Sequence, residues 1–213
     1  MSQRPAPKSV FSADLGAAVA YDEFAMKTFE YDAGFATAGP NAEAGYLYYG
    51  RFVGLSLTMG YANIFFNEKA YKAEYDRVLS GFGENTVSAG NYHVFKLQAG
   101  LVLKVPEFRH TEVMLLFQTG YALCVHPELT VMNSELGEVN RIAESPGESI
   151  IGTAGLKLNY WLSNCFGISL NSSLNSVRPG FDDETGPDSH FFLPMRYYTV
   201  DAGIVIRLNT PSR

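Results

Sequence analysis

Few residues in this 213-residue chain combine side-chain types that could do chemistry. Ser189 and His190 stand together beside Asp188, and His126 is followed by Pro127 and Glu128. A nucleophilic serine needs a base facing it across space and a third group orienting that base, and adjacency along the chain does not supply that geometry. Asp182, Asp183, Glu184 and Asp188 form the densest acidic cluster and the weak candidate for a metal site. Set among Gly180, Gly186 and Pro187, their spacing matches no EF-hand loop and reads first as a solvated loop. His93 and His110 look like strand-end or turn residues. No Gly-rich phosphate loop or metalloprotease helix stands out, so no catalytic residue is assigned and no cofactor is implied. Cys124 and Cys165, near opposite ends of their strands, suit neither a disulfide nor, by themselves, a metal.

The other polar side chains with chemical potential recur at every second residue of long runs, which moves attention to the elements that carry them. From Tyr92 to Val125 two such runs are joined by a Pro-containing connection. His93, Phe95, Leu97, Ala99, Leu101 and Leu103 alternate with Lys96, Gln98, Gly100 and Lys104 in the first. Val113, Leu115, Phe117, Tyr121 and Leu123 alternate with Glu112, Gln118, Gly120 and Ala122 in the second. Side chains on a strand have a period of two, so the pair reads as a hairpin with one apolar face and one face of charges, amides and small residues. A soluble sheet turns the apolar face inward; a membrane barrel turns it toward lipid. Glycines among paired charges suit a narrow interior better than a solvated sheet surface, which predicts that the polar face is the inside.

Six further runs follow the same rule: Ser9 to Asp22, Asn41 to Tyr49, Val53 to Ala62, Ser149 to Trp161, Phe166 to Asn175 and Tyr198 to Leu208. The tyrosines at 46, 48 and 49 fall on both faces, so the second run has no readable register. The connections alternate long and short, as they do when extracellular loops alternate with periplasmic turns. The prediction is therefore all-β: an eight-stranded antiparallel up-and-down transmembrane barrel over 9–209, a flexible segment at 1–8 and a tail at 210–213. No apolar helix is long enough to span a bilayer, which leaves a barrel as the means of crossing. Met1 to Pro7 lacks the apolar core of a signal peptide, and the expectation is that one was removed. The interior set is Asp14, Lys96, Gln98, Lys104, Glu112, Gln118, Lys157, Asn159, Asn171, Asp201 and Arg207, expected to pair and fill the barrel. The lipid-facing set is Leu97, Leu101, Leu103, Leu115, Phe117, Leu156, Leu158, Ile204 and Ile206. Strand-end tyrosines and Trp161 would form interfacial girdles.

The whole layout resembles the small eight-stranded outer-membrane barrels of the OmpA-like and OmpX-like class. The closing run Pro194-Met-Arg-Tyr-Tyr-Thr-Val-Asp-Ala-Gly-Ile-Val-Ile-Arg-Leu is similar to the last strand of the outer membrane protein β-barrel family common in Bacteroidetes-type bacteria. Such barrels usually end on an aromatic residue, where this chain has Leu208-Asn209. The resemblance implies a bacterial outer membrane location, contact with outer-membrane lipid and lipopolysaccharide, and a monomer or a member of a complex. Some barrels of this size are lipid-modifying enzymes with His beside Ser or an acid at the outer rim, which keeps His190 and His126 in view.

The four long segments, 25–41, 67–86, 126–148 and 178–194, hold 6 Lys/Arg against 15 Asp/Glu, a net of −9 where the whole chain is −6. That disfavours nucleic acid, which requires a basic stripe, and permits divalent cations or basic partners at the outer surface. Three readings follow. The favoured one is a non-enzymatic barrel presenting acidic loops for envelope structure, adhesion or a partner complex. A lipocalin-like soluble barrel would require Leu97, Leu115 and Ile204 to point inward. A rim-located lipid enzyme would require His190 or His126.

Overall fold

The computed structural model describes residues 8–29, 33–105, 110–182 and 190–208, with the side chain of residue 182 excepted. Along the chain these residues form β1 (Lys8–Ala20), a single 3-10 turn (Asp22–Ala25), β2 (Ala38–Tyr49), β3 (Val53–Phe65), α1 (Glu68–Val78), β4 (Asn85–Ala89), β5 (Asn91–Lys104), β6 (Thr111–His126), β7 (Leu129–Asn133), β8 (Gly137–Ile142), β9 (Ser145–Trp161), β10 (Phe166–Val177), β11 (Gly180–Asp182), β12 (His190–Phe192) and β13 (Met195–Arg207).

Eight of these strands close on themselves in the order β1-β13-β10-β9-β6-β5-β3-β2. Every neighbouring pair is antiparallel, and closure comes from the first and last strands, with Ala13 opposite Ile204 and Gly16 opposite Asp201. Closure leaves no strand edge unpaired, the condition for strands in hydrocarbon. The fold is thus the eight-stranded antiparallel up-and-down barrel expected from the alternation. The hairpin of β5 and β6 pairs Gln98 with Gly120 and Gly100 with Gln118. A Cβ at Gly100 would lie 2.0 Å from the Phe117 carbonyl oxygen, so the two strands coil too closely there for any side chain.

The direction of the faces is unambiguous. Leu97, Leu115 and Ile204 are 57%, 40% and 44% exposed on the outside of the barrel, whereas Lys96, Gln98, Gln118 and Lys157 are buried within it. The lipocalin-like arrangement needed the reverse. In β2 the ambiguity resolves with Leu47 and Tyr49 inside and Tyr46 and Tyr48 outside. Tyrosine satisfies either environment, so only the pairing of Val10 with Leu47 fixes the register.

Several boundaries differ from the sequence expectation. The first strand begins at Lys8, inside the segment expected to be flexible, because Lys8 pairs with Tyr49. Residues 1–7 and the expected tail at 210–213 lie outside the described residues. The strands β2, β9 and β13 start three or four residues earlier than the apolar alternation implied, at Ala38, Ser145 and Met195. The first residues of β2 and β9 are small or polar on both faces and are held by strand pairing, as of His126 with Ser145, while in β13 Met195 and Tyr197 are buried on either side of the charged Arg196.

The charged segment after Asn67 is not loop but α1. Asn67 caps it by accepting from the Ala70 N–H at 3.0 Å. Lys72 and Asp76, four apart, and Glu74 and Arg77, three apart, each pair at 2.7 Å. Those hydrogen-bonded cations hold the Glu74 and Asp76 carboxyls below their ordinary pKa values. The helix lies beside β4, which joins β7 and β8 in a three-stranded sheet built from two different loops. Phe35, Tyr71, Leu129 and Val131 form the core of this loop layer.

Candidate functional site

The barrel interior is stacked in levels along its axis, each built where the inward period of several strands coincides. At the end bearing the short turns, Glu112 on β6 is 1% exposed and accepts from Lys8 at 2.9 Å and Lys104 at 3.1 Å. Its second oxygen accepts from the Tyr49 hydroxyl at 2.7 Å, and the Arg207 guanidinium stands 3.6 Å away. Arg207 lies 4.0 Å over the Trp161 ring. Trp161 is therefore no part of an outer girdle. It continues the inward series of Lys157 and Asn159, and the guanidinium on its face makes that position favourable. A belt of Val10, Leu47, Val102, Met114, Leu116 and Val205 closes over this base.

Above the belt lies the middle network. Lys157 on β9 donates to Asp14 at 2.8 Å and to Ser12 at 2.9 Å, and Ser169 donates to the other Asp14 oxygen. Lys96 on β5 meets Glu43 at 2.7 Å and Asn175 at 3.0 Å. Asn41 donates to Asp201 at 2.8 Å. Gln118 donates to Ser56 and Thr58 at 3.0 and 2.8 Å, and Gln98 to Thr153 at 2.7 Å. Asn171 reaches Glu43 at 3.3 Å. Asn159 is fully buried, with neither side-chain polar atom hydrogen-bonded among the described residues. Buried charges persist when paired and hydrogen-bonded, and strands from all around the wall supply the partners here. All eleven side chains of the sequence-derived interior set are turned inward. Asn41 and Glu43 were missed because the register of β2 was unread; their alternation with Gly45, Leu47 and Tyr49 was the available signal.

An apolar plug including Phe24, Ile64, Tyr92, Cys124, Phe181 and Tyr197 seals the loop end. Outside, Leu97, Leu101, Leu103, Leu115, Phe117, Leu156, Ile204 and Ile206 are exposed, and Leu158 lies on the same outward face. Tyr46, Tyr48, Phe52, Tyr160 and Phe166 ring the turn end, and Phe65, Phe95, Tyr121 and Tyr198 the loop end.

Among the described residues, the two candidate histidines complete no catalytic group with a serine or carboxylate. His126 is buried, donates from Nδ1 to the Pro127 carbonyl at 2.9 Å and packs against Tyr92, Phe181 and Phe191. Glu128 turns away to Arg141 at 3.3 Å. His190 stacks edge-on against Phe192. Asp183, Glu184, Asp188 and Ser189, with the side chain of Asp182, lie outside the described residues. Among the described residues no group of three His, Cys, Asp or Glu side chains is placed to hold a metal ion. Cys124 is buried and Cys165 exposed, and both are free thiols.

A closed wall of eight antiparallel strands, apolar outside and filled with paired charges inside, defines the fold class of the small outer-membrane β-barrels. Among solved structures the chain is similar to Neisserial surface protein A (NspA), with 9% identity, 96% of this chain and 100% of that one covered, and a TM-score of 0.55. It is also similar to a major outer membrane protein of Thermus thermophilus, with 14% identity, 94% and 99% coverage and a TM-score of 0.53. The attachment invasion locus protein Ail of Yersinia pestis aligns at 11% identity over 94% of this chain and 97% of its own, with a TM-score of 0.47. No family model matches the sequence, and no curated protein matches it.

Proposed function

We propose that this chain is a non-enzymatic barrel of the bacterial outer membrane, a scaffold that fixes four acidic loops at the cell surface for envelope structure, adhesion or a partner complex. The inverted wall carries this reading. The apolar side chains that a soluble protein would bury form a continuous outward band, with aromatic residues ringing it at both ends. A transmembrane strand needs about 9–11 residues, and β6 with 16 and β9 with 17 extend beyond the bilayer to brace the loops. Lipid and lipopolysaccharide are then the partners of the wall, and proteins the partners of the loops. The interior serves as a packed plug that fixes strand register, since apolar layers close it above and below.

Mobility on SDS gels with and without boiling tests the reading. The protein refolded into detergent should migrate differently from the boiled sample and give a strand-rich circular dichroism spectrum. A monodisperse folded protein in plain buffer would overturn it.

A further inference from the structure

The four loops do not simply cover the barrel; they line a half-open cavity of about 340 Å³ between the loop layer and the apolar plug. Its rings include Phe35, Phe66, Tyr71, Tyr92, His126 and Phe191, with Phe192 next to the last. They already hold one another at stacking and edge-on distances, with Phe35 to Tyr71 at 4.8 Å, Tyr92 to His126 at 5.4 Å and His126 to Phe191 at 5.4 Å and perpendicular. Their orientation is fixed by polar anchors at the edge. The Tyr92 hydroxyl donates to the Gly34 carbonyl at 2.7 Å, and Asn140 donates to the Tyr71 hydroxyl at 3.4 Å. Burial raises the Tyr71 pKa above its ordinary value.

The size is at the low end for small-molecule pockets, and a preformed, mostly aromatic lining with one or two polar groups is their usual character. Aromatic faces attract cations, as where the Arg178 guanidinium lies 5.6 Å over the Phe192 ring on the cavity wall, and the loop side chains that the structure describes are 9 Asp/Glu against 6 Lys/Arg. An anionic ligand meets that field as repulsion. We propose that the loop layer is a binding site for a small planar aromatic cation, held between the rings of Phe35, Tyr71, His126 and Phe191. Nothing in this depends on adhesion or on a partner protein, so it goes beyond the scaffold role.

Calorimetric titration of the protein in lipid nanodiscs tests it, with 1-naphthylmethylammonium as the probe, 1-naphthoate as its anionic counterpart and empty nanodiscs as the blank. The ammonium should bind saturably and at least tenfold more tightly than the carboxylate. Leu129, buried on the cavity wall, becomes a filler in Leu129→Trp, which should weaken binding tenfold or more. Phe191→Ala removes a ring without filling the space and should weaken it as well. Heat-dependent gel mobility, retained in both variants, separates a failure of the cavity from a failure of the barrel. Heats equal to those of empty nanodiscs, equal affinity for the two probes, or binding unchanged in both variants would overturn the proposal.

Discussion

Replacing Lys157 with methionine should destabilise the barrel, and the structure sets the size of the effect. The Lys157 ammonium lies 2.8 Å from Asp14 and 2.9 Å from Ser12, with the two ionic side chains 5% and 2% exposed. Methionine keeps the length of the stem and removes the charge. Asp14 is left buried with the Ser169 hydroxyl donating to it, and breaking such a pair from one side costs about 3–5 kcal/mol. Were this face turned to water, the same change would cost about 0–1 kcal/mol. The double variant Asp14→Asn with Lys157→Met removes both charges and should recover at least about 1 kcal/mol of the loss, within the coupling range of contacting residues. Urea unfolding from lipid vesicles gives these differences. The probe is Trp161, the 1 tryptophan in the chain, buried beneath Arg207. A loss below about 1 kcal/mol for Lys157→Met, or strictly additive single variants, would refute an interior assembled from interdependent pairs.

Two further changes probe the outer wall and the loop layer. Leu97 stands outward near the middle of β5, and Leu97→Arg should cost about 2–4 kcal/mol in vesicles, the penalty for arginine at the midplane of a barrel wall; a change under about 0.5 kcal/mol would place that face away from hydrocarbon. Asn67→Ala removes the cap of α1 and should cost the helix about 0.5–2 kcal/mol. It should appear as faster amide exchange across 68–78 with unchanged barrel unfolding, and unaltered exchange in the helix would count against the cap.

The barrel was legible because its two faces differ along every strand, and one residue of slip would exchange them. Lys157 and Asn159 against Leu156 and Leu158 leave no second solution. Where the faces carry the same kind of side chain, the signal vanishes. In β2, Tyr46 and Tyr48 outside and Tyr49 inside are chemically alike, so Glu43 and Asn41, two members of the middle network, stayed hidden until strand pairing set the register. Trp161 was misplaced for a related reason. A tryptophan at a strand end suits an interfacial girdle as well as an interior, and only the inward-pointing Arg207 decides between them.

The loop layer was illegible because its elements stabilise one another and not themselves. The helix α1 has 11 residues and buries Tyr71 alone among them, too little for a helix of that length in isolation. What supports it lies elsewhere in the chain: Phe29 and Phe35 from the first loop, Leu129 and Val131 from the third. Likewise β4 exists through β7, with Asn133 donating to Asn85 at 2.8 Å across 48 residues of sequence. Such contacts join segments far apart in sequence, and the wall lowers their loop-closure cost by holding the loop ends together. The wall fixes where the loops begin and end, and segments of the first three loops pack on one another around Phe35, Tyr71, Leu129 and Val131, so a change in one of them should loosen the others.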